Sequence, residues 1–345
     1  MSYKKLKMGV IGYAHPHVLN YVPIIANHPR INFSGIFGGD INVELAKSDA
    51  RRFKVKYYKD IEECLSSEEI EAIYIGSETN RHLEIVELAT QYRKHILCDK
   101  PISITLKEAD IIIKMTRSAK VKLMVPFNPR FMIPLMKAKK DIEENKIGDL
   151  IYIYTISEYG KIPSLIKGFD TNWLFDPQKS GGGGFADTAP HGIDSLRWLV
   201  NSEVKTVYAD IGNKIFPNLE VDDIGTVIIE FKNGVIGVLG AGWANPESYP
   251  TWLDIRYEIL GTKGFIDISK PYHDLAVYGK EKMVREYWWR NDVRMILDEF
   301  IDCIFEDRDP IITGEDARAS LEIILAAYNS SKNGKVIRLP VTNTA

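Results

Sequence analysis

Strand-like and helix-like stretches alternate through the first third of this 345-residue chain at a rhythm that few folds can hold. Apolar runs at 8–12, 32–37, 72–76, 95–98 and 122–125 read as short buried strands, several of them ending near a glycine. Longer amphipathic segments lie between them, at 43–53, 81–92 and 106–119. Strand, helix, strand at this spacing implies a parallel sheet covered on both faces. Such sheets take ligands beyond the carboxyl ends of their strands, where the strand order reverses.

From about residue 126 the texture changes. Alternating strands dominate at 151–156, 204–211, 226–231, 235–240 and 252–260, and Asn233-Gly234 between two of them is a strong hairpin signal. Helical patterns fall near 129–145, 187–200, 291–306 and 315–332. The length exceeds what one core usually supports. The expected architecture is therefore α/β with two domains. Residues 1–125 would form a doubly wound parallel sheet of Rossmann type, and residues 126–345 an α+β domain on a large, mostly antiparallel sheet.

Composition excludes more than it assigns. With 45% hydrophobic and 26% charged residues and a net charge of −3, nothing points to nucleic acid or an anionic membrane. Cys64, Cys98 and Cys303 are too widely spaced for a metal or disulfide pattern and read as reduced, buried thiols. The basic start precedes only the short apolar stretch 8–11, and no later stretch could span a bilayer. A cytoplasmic location is expected.

Three places carry chemistry. The turn Gly12-Tyr13-Ala14-His15-Pro16-His17 sits where a dinucleotide-binding loop belongs, but Ala14 and His17 replace the second and third glycines of the fingerprint. Pro16 suits a first helical turn, whose N–H donors could face a phosphate. His15 and His17 form a poor metal pair without further ligands, so no metal is expected. The second place is Asp99-Lys100-Pro101, directly after the apolar run 95–98. The third is the glycine run 181–184 followed by Asp187 and His191, four residues apart and so on one face of a helix. An ammonium, a carboxylate and an imidazole make a proton-handling set. Each also has a plainer reading: a surface lysine, a helix cap, a buried structural histidine.

In this order these segments resemble the glucose-fructose oxidoreductase / inositol dehydrogenase / rhizopine catabolism (Gfo/Idh/MocA) family over nearly the whole chain. The resemblance runs through residues 77–82 after the third strand and through Asp99-Lys100-Pro101, where Glu-Lys-Pro is more usual. It continues through Phe127-Asn128-Pro129-Arg130-Phe131, Asp187 with His191, Val221-Asp222-Asp223 and the segment 261–264. The degenerate first loop is its poorest match.

That resemblance implies an NAD(P)-dependent dehydrogenase or reductase acting on a hydroxyl or keto group of a sugar, inositol or related polyol. Lys100 would polarise the reacting hydroxyl, His191 would act as general acid/base, and Asp187 would orient His191 or bind a neighbouring hydroxyl. Gly12, Tyr13, Ala14, His15, Gly38, Gly39, Asp40, Ser77, Glu78, Thr79, His82, Asp99 and Lys100 would contact the coenzyme. The second strand ends in Gly38, Gly39 and then Asp40, two residues late for an acidic group that binds adenine ribose hydroxyls. The same turn offers no cation before Lys47, Arg51 and Arg52, so NAD is favoured over NADP. Asn128, Arg130 and Trp173 would line the substrate cleft with Lys100, Asp187 and His191. Arg130 could instead pair with a carboxylate, and the aromatic run 287–289 reads as packing. A nicotinamide-assisted glycoside-cleaving enzyme and a non-catalytic sugar- or nucleotide-sensing regulator are the alternatives. A homodimer or homotetramer is expected, with Tyr152, Tyr154 and Ile156, or Val227, Ile229 and Phe231, on an uncovered sheet face of the second domain. The active site is expected in the cleft between the domains.

Overall fold

The computed structural model describes residues 4–159, 166–246, 253–268, 274–278, 283–287 and 292–341. Trp288 and Trp289, singled out above, lie outside the described residues, as does the side chain of Tyr287. The chain forms two compact units. The first comprises 1–126, 163–182 and 293–321; the second comprises 127–162, 183–292 and 322–345.

The first unit opens with β1 (Leu6–Ile11), α1 (Val18–Asn27), β2 (Ile31–Phe37), α2 (Val43–Phe53), β3 (Lys56–Tyr58) and α3 (Ile61–Ser66). It continues with β4 (Ala72–Ile75), α4 (His82–Gln91), β5 (His95–Cys98), α5 (Leu106–Ala119) and β6 (Leu123–Met124). The six strands pair in parallel in the order β3-β2-β1-β4-β5-β6. Strands β1 and β4 run to the centre, where Val10, Ile11, Ile73 and Tyr74 are completely buried because helices cover both faces. Strand order reverses between β1 and β4, so their following loops diverge and leave a crevice at the carboxyl edge. The three-residue β3 and six-residue α3 are too short to show a period in sequence. Local chemistry starts the helices: the Asp60 carboxylate accepts from the Glu63 amide at 2.9 Å and the Thr105 hydroxyl from the Glu108 amide at 3.2 Å. A late segment fastens the early one, since Arg30 donates to Asp298 at 3.2 Å and to Asp302 at 2.5 Å.

The later elements are α6 (Ile133–Glu143), β7 (Leu150–Tyr159), α7 (Pro177–Ser180), α8 (Gly184–Val200), β8 (Val204–Gly212), β9 (Ile224–Phe231) and β10 (Ile236–Gly242). After them come β11 (Leu253–Gly261), β12 (Gly264–Ile268), β13 (Asp274–Tyr278), β14 (Met283–Tyr287), α9 (Asp292–Phe305), α10 (Gly314–Asn333) and β15 (Ile337–Arg338). The second unit is built on a seven-stranded sheet, β12-β11-β7-β10-β9-β8-β15. All its pairings are antiparallel except β7 with β10.

One face of this sheet carries the core. Ile153, Val207, Val227, Ile229, Phe231 and Leu239 pack with Phe185, Ala189, Ile193 and Leu196 of α8, Leu135 of α6 and Ala327 of α10. This corrects half of the expectation above: Val227, Ile229 and Phe231 point into the core, because period two sends Ile228 to the opposite side. Tyr154, Ile228 and Tyr208 are 36%, 44% and 44% exposed on that other face. The register aligns them in one row, Tyr154 opposite Val238, Val238 opposite Ile228, and Ile228 opposite Tyr208.

Candidate active site

In the first unit, a narrow crevice opens beyond the carboxyl ends of β1, β2 and β4. Gly12, Gly38, Asp40, Ser77, Glu78 and Arg81 are among its walls. Gly12 is required there: its φ is +85°, and a Cβ would lie 2.7 Å from the Ser77 amide nitrogen. Gly39 is also left-handed, at φ +72°, which carries the chain round so that Asp40 joins the wall. Thr79 and His82 are buried behind the same turn, and the His82 imidazole contacts the Pro101 carbonyl at 3.0 Å. The Tyr13 hydroxyl is turned away to Asp49, at 3.2 Å.

The loop after β1 departs from a glycine-rich phosphate cradle. The amides of Ala14 and His15 both donate to the Gly76 carbonyl at 2.9 Å, and the His17 amide donates to Nδ1 of His15 at 3.2 Å. Donors usually left for a phosphate are thus engaged within the protein. Trp173 lies on this loop, its indole N–H donating to the Ala14 carbonyl at 2.9 Å. Its indole therefore braces the loop after β1.

Beneath the loop, Asp99 is fully buried. Its carboxylate accepts from the Tyr74 hydroxyl at 2.5 Å and the Lys100 amide at 2.7 Å, and contacts His17 Nδ1 at 3.0 Å. Nδ1 of His15 is 3.5 Å away. Burial alone would raise this carboxyl, but His15, His17 and Lys100 hold it well below the usual carboxylate range. Burial and Asp99 push the Tyr74 hydroxyl well above its ordinary value. The ligand atoms of His15, His17 and Asp99 lie within 4.8 Å of one another, a spacing that would suit a small cation. The third ligand that local sequence did not offer His15 and His17 is thus Asp99, 82 residues beyond His17. Lys100 is fully buried, at the carboxyl end of β5, and its bond to Pro101 is cis.

In the second unit, the glycine run has a tertiary reason. A Cβ on Gly183 would lie 2.0 Å from the Asp222 carbonyl oxygen, and one on Gly184 would lie 2.3 Å from that of Asp223. Gly183, the N-cap of α8, has no side chain to cap with, and Asp222 does so from a distant loop. Its carboxylate accepts from the amides of Gly183 at 3.0 Å and Phe185 at 2.7 Å, and from the Tyr328 hydroxyl at 2.7 Å. Asp223 likewise gathers the amides of residues 214–216, at 2.6–2.9 Å.

Helix α8 carries Asp187 and His191, both buried. The Trp243 indole N–H donates to the Asp187 carboxylate at 2.9 Å, a partner that sequence reasoning missed. A buried tryptophan needs an acceptor, which was the available signal. The Phe127 ring meets His191 edge to face at 6.2 Å. Arg130 grips Asp194 of α8 with both arms, at 2.7 and 2.6 Å, and Asn128 donates to Asp292 at 2.6 Å. The carboxylate partner anticipated for Arg130 is therefore present, and this pair anchors α8.

Arg81 was also missed. Its guanidinium donates to Asp40 at 2.9 Å. The cation sought along the β2 turn comes instead from the turn after β4.

Comparison with known proteins agrees with this arrangement. Residues 6–127 match the oxidoreductase family with an NAD-binding Rossmann fold, and residues 135–267 the GFO/IDH/MocA C-terminal domain. The myo-inositol 2-dehydrogenase of Thermotoga maritima is 28% identical over 82% of this chain and 84% of its own length. The scyllo-inositol 2-dehydrogenase (NAD(+)) of Bacillus subtilis is 28% identical over 97% and 95%. The fold is shared with a scyllo-inositol dehydrogenase from Lactobacillus casei solved with NAD(H) and scyllo-inositol, at TM-score 0.82 and 22% identity, covering 97% of this chain and 99% of that one. No helix among the described residues is long and apolar enough to cross a membrane. The chain belongs to the Gfo/Idh/MocA oxidoreductases, and residues 6–127 are their NAD-binding Rossmann domain.

Proposed function

We propose that the protein is a dehydrogenase that interconverts a secondary alcohol and a ketone on a cyclic polyol or sugar. The observation that carries this reading is the complete burial of Lys100 at the carboxyl end of β5, directly after the ionised Asp99. A buried ammonium suits an oxygen on which negative charge develops. Bound NAD supplies the hydride acceptor in oxidation and the hydride donor in reduction. In oxidation the substrate O–H proton passes to His191 while the C–H hydrogen leaves with its electron pair. Lys100 holds the reacting oxygen by a hydrogen bond. Asp187, steadied by Trp243, orients the imidazole or a neighbouring substrate hydroxyl. The names of the inositol dehydrogenase relatives support the substrate class. Two copies or more are proposed to associate through the open face bearing Tyr154, Ile228 and Tyr208.

The test is a screen of inositols, sugars and sugar acids by absorbance of reduced nicotinamide, followed by two variants on the best substrate. Lys100→Met should lower kcat by about two to four orders of magnitude while keeping coenzyme affinity. His191→Ala should slow oxidation and flatten its rise with pH in the neutral-to-alkaline range. Near wild-type turnover in Lys100→Met, or an unchanged pH profile in His191→Ala, refutes these roles. Bond cleavage without net reduction of coenzyme would replace the dehydrogenase by a coenzyme-assisted lyase or hydrolase.

A further inference from the structure

The proton and hydride steps above make no use of the imidazoles of His15 and His17. Both follow β1 and meet Asp99 at the end of β5. Among the described residues, no other three histidine, cysteine or acidic side chains come close enough to share an ion. Nδ1 of His17 lies 3.0 and 3.1 Å from the two Asp99 oxygens, and Nδ1 of His15 lies 3.5 Å from one of them. Neighbouring donors that each stand about 2.1 Å from a shared ion are themselves about 3.0–3.5 Å apart. The two imidazole rings are adjacent, their centroids 4.3 Å apart. The Asp99 carboxylate is fixed by the Tyr74 hydroxyl at 2.5 Å and the Lys100 amide at 2.7 Å, outer contacts of the kind that orient a ligating carboxylate. His15 and Asp99 are buried, whereas the His17 side chain is 18% exposed, which gives an ion a way in from solvent.

We propose that His15, His17 and Asp99 form a binding site for a divalent transition-metal ion of the zinc class, which ties the loop after β1 to the residue before Lys100. Two imidazoles and one carboxylate suit such an ion, whereas Mg²⁺ and Ca²⁺ take oxygen donors. Three protein ligands leave a further position for water. On binding, the ion displaces the proton between His17 Nδ1 and Asp99, which leaves to solvent. It also takes over the lone pair of His15 Nδ1 that now accepts the His17 amide at 3.2 Å. Because the ion joins positions 82 residues apart, it binds the folded chain in preference to the unfolded one and stabilises it.

The experiment strips the full-length, untagged protein with EDTA and titrates it, without coenzyme, with Zn²⁺ by calorimetry and with Co²⁺ by visible absorption. Wild type should bind one Zn²⁺ per chain and melt at a higher temperature with it, and Co²⁺ should give d–d bands that Zn²⁺ removes. Tyr74→Phe should weaken Zn²⁺ binding by about ten- to hundredfold through the carboxylate it orients. His15→Gln and His17→Gln should each weaken it further than that and abolish the rise in melting point, with circular dichroism as a check of folding. A wild type that binds no Zn²⁺ at micromolar concentration, or histidine variants that bind it as tightly as wild type, overturns the proposal. Displacement of Zn²⁺ by an equal concentration of Mg²⁺ also overturns it, since the imidazoles would then not be ligands.

Discussion

Replacing Asp222 with alanine should unseat the start of α8, although the two are about 40 residues apart in sequence. The carboxylate accepts from two helix-start amides at 3.0 and 2.7 Å and from the Tyr328 hydroxyl at 2.7 Å. Loss of an N-cap costs about 1 kcal/mol. Each buried donor left without an acceptor adds roughly 1–3 kcal/mol. Part of this is offset, because burial raises the Asp222 carboxyl and the variant no longer buries that group. A net loss of about 3 kcal/mol follows, equivalent to a melting point lower by roughly 4 °C for a chain of 345 residues. Tyr328→Phe removes only one of the donors and should cost about 1 kcal/mol. Because α8 carries Asp187 and His191, a shift of about 1 Å at its start should lower turnover on the order of a hundredfold. Calorimetry, NADH titration and steady-state turnover separate the effects. NADH affinity should hold while melting point and turnover fall. Unchanged melting and turnover, or an NADH loss equal to the turnover loss, would refute the argument.

Two further outcomes follow from burial. His82 is buried, and that burial lowers its imidazole pKa despite help from Asp99 and nearby carbonyls. Stability from the neutral ring is therefore present above the unfolded value near 6.5 and lost as pH falls below it. The melting point should drop between about pH 7 and 5, and His82→Asn should reduce that slope; an identical slope would discount the residue. On the open face of the second sheet, Tyr154→Asp with Ile228→Lys should convert an oligomer to monomers in light scattering with the fold intact by circular dichroism. A wild-type protein that is already monomeric at micromolar concentration defeats this.

The fold was legible where long-period patterning is strong. The five sequence-read strands of the first unit and its three long helices occur, because doubly buried strands must be apolar and their crossovers amphipathic. The Val227, Ile229, Phe231 set was harder. Ile228 is as apolar as its neighbours, so hydropathy alone cannot say which side of β9 meets the helices. The site was legible as residue types but not as partnerships. Trp243 beside Asp187, Arg81 beside Asp40 and Asp222 above Gly183 join positions 39–56 residues apart. No local spacing encodes such pairs. The glycine run, readable as mere flexibility, instead answers to two carbonyl oxygens that leave no room for a Cβ.

The first unit is discontinuous, and this bears on how the chain is made. Its sheet is complete by residue 126, but the Trp173 that braces the loop after β1 and the Asp298 and Asp302 that hold Arg30 arrive much later. Elongation from 126 to 321 takes on the order of ten seconds or more at ordinary ribosomal rates. During that interval the nascent Rossmann sheet exists without its outer fastenings, and α1 is held only by early neighbours. A gene fragment ending at residue 126 would carry the same sheet without Trp173, Asp298 and Asp302.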